Sequence, residues 1–333
     1  MRILIVSADR TLGTGVAQNL GDSLLTDALL SHLKSLGFDP VAADFGRSER
    51  IGSVPRVNVR RLNDLWSLIR KSDLVLIGGG TLLQDDQRDR CFAGLPRLCL
   101  AVSVIGWLCN RRIVYFGVGC DPIIRPHMRN ILRIAVFGRR LFVREEESLA
   151  RVRTELNSNG QVSCDASLLL YPWGKDLRLP RAKEARLTIC LNSTESQMLT
   201  VERFAALDKI FERVGFLSMD QGDSSDFHGL NPAVRSMMEP HQLDYTWRDA
   251  AAKIEASTLV ISSRMHALYL AGLLNVPSIA VGNSPKVASF AKRYGIPIVE
   301  DLADFIECPQ DGAIPDFADD AKLVRRMIAM AVA

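Results

Sequence analysis

The chain alternates short apolar runs with stretches in which apolar residues recur every three or four positions. Short apolar runs bounded by polar or glycine residues are typical of buried strands. In the first half, strands are predicted at residues 3–6, 41–44, 73–77, 113–116 and 140–143. Residues 23–36 predict a helix because their apolar side chains repeat with a helical period, and the longest apolar run, residues 98–109, predicts another.

The second half repeats this alternation. Strands are predicted at residues 186–191, 215–219, 258–261, 277–281 and 296–299. Helices are predicted at residues 204–214, within 243–257, and at 265–274, 287–294 and 319–332. Between the halves, residues 171–183 turn to proline, glycine and charge, which indicates a linker. We therefore predict an α/β protein with two doubly wound Rossmann-like domains, 1–174 and 184–333, that face a cleft.

Composition places the protein in the ordinary globular class. A chain of 333 residues with 47% hydrophobic and 24% charged content can bury two cores. A net charge of +3 gives no reason to expect a nucleic-acid partner. The seven cysteines include no C-x-x-C pair, so neither a zinc site nor a disulfide framework is predicted, and a cytoplasmic location is expected.

The sequence Ser263-Arg264-Met265-His266 follows a predicted strand and opens a predicted helix. Ligands of open α/β sheets bind at such strand ends, and helix N-termini favour anions. Residues 256–299 contain no Asp or Glu, which adds to the expectation of an anionic ligand. The alternative is structural: Arg264 would cap carbonyl groups and His266 would be a satisfied core histidine.

Two other segments have two interpretations each. Gly78-Gly79-Gly80 follows the strand at 73–77, and it either brings backbone N–H groups close to a ligand or forms a tight strand-to-helix turn. Residues 98–112 form either a helix of the core or a helix that contacts a membrane surface, with Arg111 and Arg112 at the headgroups.

Several short motifs occur in an order and spacing that identify a family. They are Asn19-Leu20-Gly21-Asp22, Asp73 to Thr81, Gly117-Val118-Gly119, Arg144-Glu145-x-x-Ser148, Asp165-Ala166-Ser167, Ser263-Arg264-Met265-His266-Ala267 and Pro285-Lys286-Val287. Through them the chain resembles the polysaccharide pyruvyl transferases over most of its length. The resemblance departs at Glu145, where Asp is frequent, at Ala166, where Pro is frequent, and at residues 282–284, where an acidic or aromatic residue is frequent.

The resemblance implies a fold similar to that of GT-B glycosyltransferases. It also implies transfer of a pyruvyl group from phosphoenolpyruvate to sugar hydroxyls, which gives a pyruvate ketal and releases phosphate. Arg264 and His266 would lie at the donor site, in the C-terminal domain, and Arg144 would be a second anion-binding arginine. The N-terminal domain would hold the sugar acceptor.

The chemistry of this reaction suggests a role for each candidate. Phosphoenolpyruvate carries a carboxylate and a phosphate, for which Arg264, Arg144 and Lys286 are candidates, together with the N–H groups of Gly79 and Gly80. His266 would protonate the methylene carbon or the departing phosphate. Asp22 or Asp165 would be the base on the acceptor hydroxyl, although Asp22 is equally suited to cap the helix that follows.

We expect no metal ion and no cofactor, with phosphoenolpyruvate as the donor substrate. A lipid-linked acceptor would make residues 98–112 a membrane contact at the inner face of the cell membrane.

Two alternatives to pyruvyl transfer remain open. One is a GT-B glycosyltransferase that uses a nucleotide sugar, against which the acid-free residues 256–299 count. The other is a non-catalytic paralogue in polysaccharide assembly.

Overall fold

A computed structural model describes the chain at residues 1–46, 48–50, 54, 56–85, 94–172, 185–238, 245–282 and 284–333. The chain forms two compact units. The first unit comprises Met1–Gly15, Asp22–Leu169 and Asp319–Ala333, and the second comprises Val16–Gly21 and Leu170–Ala318. The predicted domain boundaries, 1–174 and 184–333, differ from these units at two segments. Residues 16–21 belong to the second unit, and residues 319–333 belong to the first. The predicted linker lies outside the described residues from residue 173 onward.

Hydrogen bonds explain why two short segments join the unit remote from them in sequence. In the first unit, the Nη2 of Arg112 donates to the carbonyl oxygens of Ala331 and Val332, at 3.0 and 2.7 Å. In the second unit, Leu20 N donates to Met219 O at 2.8 Å. These bonds tie the C-terminal residues to the first unit and residues 16–21 to the second.

The N-terminal half is a series of parallel strands with helical connections. Its elements are β1 (Arg2–Val6), α1 (Leu20–Ser35), β2 (Asp39–Asp44), β3 (Arg56–Asn58), α2 (Leu62–Arg70), β4 (Leu74–Gly78), β5 (Thr81–Leu83), α3 (Gly94–Leu108), β6 (Arg112–Cys120), α4 (Pro126–Val136), β7 (Arg140–Val143), α5 (Glu146–Leu156) and β8 (Gln161–Val162). The strand order is β3-β2-β1-β4-β6-β7-β8, with β5 paired to β6. The order reverses between β1 and β4, which makes their carboxyl ends the topological switch point.

The C-terminal half forms a second parallel sheet. Its elements are β9 (Arg186–Cys190), α6 (Val201–Ile210), β10 (Arg213–Phe216), α7 (Pro232–Met237), α8 (Trp247–Glu255), β11 (Leu259–Ser262), α9 (Met265–Leu273), β12 (Ser278–Val281), α10 (Pro285–Tyr294), β13 (Ile298–Val299), α11 (Leu302–Glu307) and α12 (Ala318–Val332). The order β10-β9-β11-β12-β13 reverses between β9 and β11. The strands are buried on both faces, as parallel strands covered by helices are.

The two sheets confirm the predicted α/β fold class. Two glycine-rich segments lie within or directly before strands. Residues 117–120 belong to β6, where Gly117 adopts a φ of +62° at a register shift beside β7. Gly78-Gly79-Gly80 leads into β5 rather than into a helix. No helix in the described part of the chain is both long and apolar enough to cross a bilayer.

Candidate functional site

Arg264 and His266 lie at the switch point of the second sheet. β9 and β11 are neighbours there, and the chain continues from them to opposite sides, through β10 and through β12. Arg264 follows β11 directly and is the N-cap residue of α9. The structure therefore places both residues at the part of this sheet where open α/β folds bind ligands.

Two serines fix the backbone that leads to Arg264. The Oγ of Ser262 accepts a hydrogen bond from Arg264 N at 2.9 Å and lies 2.9 Å from Cys190 O, to which it donates. The Oγ of Ser263 accepts from Asn192 N at 3.0 Å. Both serines are buried, and their hydroxyl groups connect the residues at the ends of β9 and β11.

Arg264 is held by two carboxylates. Its Nη2 contacts Asp220 Oδ2 at 2.5 Å and also contacts Asp226 Oδ1. The Asp226 side chain is 0% exposed, and its Oδ2 accepts from Met219 N at 3.0 Å and from Asp220 N at 3.3 Å. Burial raises the pKa of the Asp226 carboxyl, and the Arg264 guanidinium opposes that rise. Burial lowers the pKa of Arg264, but the two carboxylates reverse this, so its net direction is upward.

This pairing corrects one premise of the sequence analysis. Residues 256–299 contain no acid, but Asp220 and Asp226 approach Arg264 from the loop after β10. Arg264 is therefore charge-compensated in the folded chain. Its Nε is buried and has no hydrogen-bond partner among the described residues, so it remains a donor for an incoming oxygen.

His266 packs against the N-terminal segment that belongs to the second unit. A methyl group added at Gly21 would collide with the His266 imidazole, so only glycine fits there. Asn19 forms an antiparallel bridge with Asp220, and its Nδ2 donates to Asp220 Oδ1 at 2.5 Å. Asp220 therefore joins Asn19 to Arg264. The motif Asn19-Leu20-Gly21 thus has a structural role in the second unit, beside Arg264 and His266.

Lys286 and Glu195 lie at the end of the neighbouring strand, β12. Lys286 is half-buried and is the second residue of α10. Glu195 was not singled out in the sequence. Its carboxylate occupies the space beside Gly282, which has a φ of +96°, and it accepts from Asn192 Nδ2 at 2.6 Å. This edge of the sheet thus carries a carboxylate, although residues 281, 282 and 284 supply none and Asn283 lies outside the described residues.

In the first unit, Gly79 and Gly80 follow β4 at the switch point of the first sheet. Their φ angles are +81° and +84°, which glycine adopts without strain. A methyl group added at Gly80 would collide with the Asp22 carboxylate. Asp22 is the third residue of α1, which begins at Leu20, so the alternative role as helix N-cap is wrong. The structure brings the Asp22 carboxylate against the backbone of Gly80, which is buried.

The fit between Gly80 and Asp22 can be measured as stability. Gly80→Ala should lower the free energy of unfolding by at least about 1 kcal/mol more than Gly138→Ala, because overpacking adds to backbone strain. Gly138 is the matched control, since its φ is +66° and nothing lies within 4 Å of an added Cβ. Urea unfolding measures both values. Equal decreases in the free energy of unfolding for the two variants would show that the close contact between residue 80 and Asp22 does not affect stability.

Arg144 lies beside the same glycine segment. Its side chain is buried, and its Nη2 donates to Thr81 Oγ1 at 3.1 Å. Its Nε lies 3.3 Å from Glu145 Oε2, while Glu145 Oε1 accepts from Ser148 Oγ at 2.8 Å. The motif Arg144-Glu145-x-x-Ser148 is therefore a connected cluster in which Glu145 supplies the carboxylate. Arg144, Gly79 and Gly80 converge at one edge of the first sheet.

Asp165 has a structural setting. Its side chain is buried, and its Oδ1 accepts from Ser167 N at 2.9 Å and from Ser167 Oγ at 2.6 Å. It thereby starts the short 3-10 helix Ala166–Leu170. With the residue only 1% exposed, this geometry favours a role in folding over proton transfer to a bound hydroxyl.

A buried charge network lies at the ends of β1 and β2 in the first unit. Asp9 pairs with Arg50 at 2.6 Å and with Arg56 at 3.1 Å. Asp44, at the end of β2, accepts from Thr11 and from Gly46 N. An acid at the end of the second strand binds the ribose in dinucleotide-binding folds. Here the acid at that position, Asp44, already accepts hydrogen bonds from the backbone N–H groups of Thr11 and Gly46.

Two solved structures with a similar fold are UDP-N-acetylglucosamine 2-epimerases. The UDP-N-acetylglucosamine 2-epimerase from Rickettsia bellii is 12% identical, with 100% of this chain and 96% of that chain covered and a TM-score of 0.57. The UDP-GlcNAc 2-epimerase from Neisseria meningitidis, bound to UDP-GlcNAc, is 12% identical, with 99% and 100% covered and a TM-score of 0.55. These likenesses show the GT-B-like fold alone.

Sequence comparison gives the family. No curated protein matches the chain. The family model described as polysaccharide pyruvyl transferase matches residues 19–285, a range that contains every candidate residue of both sheet edges except Lys286. The match covers most of the 333 residues and confirms the resemblance inferred from the motifs. The chain belongs to the polysaccharide pyruvyl transferase family.

Proposed function

We propose that the protein transfers the pyruvyl group of phosphoenolpyruvate to two hydroxyl groups of a sugar in a polysaccharide or its precursor. Family membership supports a pyruvyl-transfer role in polysaccharide biosynthesis. The observation that carries the finer proposal is the position of Arg264 and His266 at the switch point of the second sheet. The product is a pyruvate ketal, and inorganic phosphate leaves.

The second unit would hold the donor. Arg264 precedes α9 and Lys286 lies in the first turn of α10, so two side-chain cations and two helix N-termini lie at adjacent strand ends. Helix N-termini favour anions. The pairing of Arg264 with Asp220 and Asp226 fixes the guanidinium in one orientation. Its Nε and Lys286 are the donors that we assign to the carboxylate and phosphate of phosphoenolpyruvate.

His266 would supply the proton. Addition of the first hydroxyl at C2 of the enol requires a proton at the methylene carbon, which becomes the methyl group. Attack by the second hydroxyl then displaces phosphate, and the proton of that hydroxyl balances the charge on phosphate. A histidine transfers protons near neutral pH. We assign the first transfer to His266, or else the protonation of the departing phosphate.

The first unit carries its own polar edge. Asp22 lies against Gly80 and is only partly buried, so its carboxylate is our choice for the base on an acceptor hydroxyl. Asp165, the other predicted base, is the weaker candidate because it is buried and bonded to Ser167. Arg144 with Gly79 and Gly80 would orient an anionic or hydroxyl group there.

A nucleotide-sugar transferase is the second candidate. One observation favours it: the Glu195 carboxylate lies beside Gly282 at the edge of the second sheet, where a ribose hydroxyl would find an acceptor. Asp44 does not serve a nucleotide, since Thr11 and Gly46 use it. The related folds that act on UDP-GlcNAc are too distant in sequence to decide between the two donors.

Phosphate release tests the donor directly. With phosphoenolpyruvate and a panel of free and lipid-linked glycosides, we expect release that requires an acceptor and persists in a chelator, because the proposed chemistry uses only side chains. UDP-sugars should release no UDP in the same panel. UDP release would favour the nucleotide-sugar reaction, and loss of release in the chelator with recovery on adding Mg²⁺ would contradict metal independence. If neither donor reacts and neither raises the melting temperature, the non-catalytic alternative holds.

A further inference from the structure

The outer face of α3 and α4 in the first unit carries large apolar side chains in solvent. On α3 these are Val104, Trp107 and Leu108, whose spacing places them on one side of the helix. Trp107 is 70% exposed. Monomeric proteins rarely expose a contiguous group of this kind without a partner, so the face needs an occupant.

α4 extends this surface. Ile134 and Phe137, at the end of α4, are exposed, Phe137 by 82%. The two helices adjoin here, because the Tyr115 hydroxyl lies 3.1 Å from Ser103 Oγ of α3 and 3.4 Å from Ala135 O of α4. Val104 directly follows Ser103 in the sequence, and Ile134 directly precedes Ala135. We call Val104, Trp107, Leu108, Ile134 and Phe137 the α3–α4 face.

The surroundings of the α3–α4 face are strongly basic. The segment that carries it, residues 94–140, contains eight arginines and one acid, Asp121. Several of these arginines donate to main-chain carbonyl oxygens, which hold a guanidinium without cancelling its charge. The bonds are Arg111 to Arg70 O, Arg112 to Ala331 O and Val332 O, Arg133 to Glu155 O and Arg139 to Ser103 O.

We propose that the α3–α4 face binds the surface of an anionic lipid membrane. Aromatic and aliphatic side chains beside arginines are the chemistry of an interfacial contact, in which rings enter the headgroup layer and cations meet lipid phosphates. A second copy of the chain is the less suitable occupant. A twofold interface would place the same arginines opposite each other and add like-charge repulsion. The binding is peripheral, since α3 has only 15 residues.

Membrane binding would bring the protein to a sugar acceptor that is carried on a lipid. The proposal does not depend on pyruvyl transfer. Vesicle binding is measured without donor or acceptor, so its failure would leave the reaction untouched. The full chain should co-sediment with vesicles of phosphatidylcholine containing about a third phosphatidylglycerol and not with phosphatidylcholine alone. Raising the salt from about 0.1 to about 0.5 M should weaken this binding.

Variants locate the contact. Trp107→Ser with Phe137→Ser should lower the vesicle partition coefficient roughly tenfold or more. Leu62→Ser is the matched control, because Leu62 is an exposed apolar residue on α2 of the same unit. Trp107→Phe should still sediment but should lose the tryptophan quenching that brominated lipids cause in the wild type. That second readout does not rely on the folding of the double variant.

Three results would overturn the proposal. They are no binding to anionic vesicles, equal binding to uncharged vesicles, or binding that the double variant keeps. Light scattering after size exclusion adds a fourth. A dimer that forms without lipid and that Trp107→Ser with Phe137→Ser dissociates would assign the α3–α4 face to a second copy of the chain.

Discussion

Replacing His266 by glutamine should lower the rate constant of phosphate release from phosphoenolpyruvate by about 10²–10⁴-fold, the usual contribution of a positioned general acid. Glutamine keeps a polar side chain of similar reach but cannot transfer a proton. The imidazole also lies against Gly21, and the smaller change to glutamine disturbs that contact less than alanine would. The loss should therefore appear in kcat, with the KM for phosphoenolpyruvate changed little.

His228→Gln is the matched control. His228 is an exposed histidine in the same unit, on the short helix Asp226–Gly229. It should turn over like the wild type. Phosphoenolpyruvate should still raise the melting temperature of His266→Gln, since the proposed anion donors are intact. Full turnover by His266→Gln would remove the proton-transfer role, and loss of the ligand-induced shift would move His266 from catalysis to donor binding.

The fold could be read from the sequence because parallel strands have a local signature. β7 was predicted at its observed residues, 140–143, and β1, β4 and β9 within about one residue, since each is a buried apolar run between polar ends. The short edge elements were not predicted. β3 and β5 have only three residues each, and α2 was missed although its buried residues Leu65 and Ile69 recur with a helical period.

Glycine-rich segments were harder to place. The sequence Gly117-Val118-Gly119 has the composition of a loop, but the chain continues as β6 through it. A side-chain contact explains the glycine at 119, because an added Cβ would lie 3.0 Å from the Arg144 guanidinium. In the sequence, a glycine that is required for close approach of a side chain cannot be distinguished from a glycine that is required for a turn.

The candidate site shows the larger limit of sequence reasoning. The position of Arg264 and His266 at a strand end could be predicted, because strand and helix patterns adjoin there. Their partners could not, since Asp226 reaches Arg264 over 38 residues of chain. The signal was present in part. Asp220 follows the strand predicted at 215–219, and the rule that found Arg264 would have placed it at the same edge.

Removing the Asp226 carboxylate should be the most destabilising of these substitutions. Asp226→Ala leaves the N–H groups of Met219 and Asp220 without their acceptor and takes one of two counter-charges from Arg264. Loss of one partner from a buried ion pair costs about 3–5 kcal/mol, and because Asp220 remains we expect about 3 kcal/mol. The change is measured by urea unfolding, followed by the fluorescence of Trp247, which is buried in the second unit.

Three further variants separate charge from hydrogen bonding. Asp226→Asn keeps an oxygen acceptor without charge and should cost less than Asp226→Ala. Asp223→Ala, an exposed acid of the same loop, should cost about 0.5 kcal/mol or less. In an Arg264→Met background the cost of Asp226→Ala should fall, because the counter-charge is no longer needed, and the difference is the coupling energy of the pair. If Asp226→Ala and Asp223→Ala unfold at the same urea concentration, the carboxylate does not hold Arg264, and the guanidinium is free to be oriented by the donor alone.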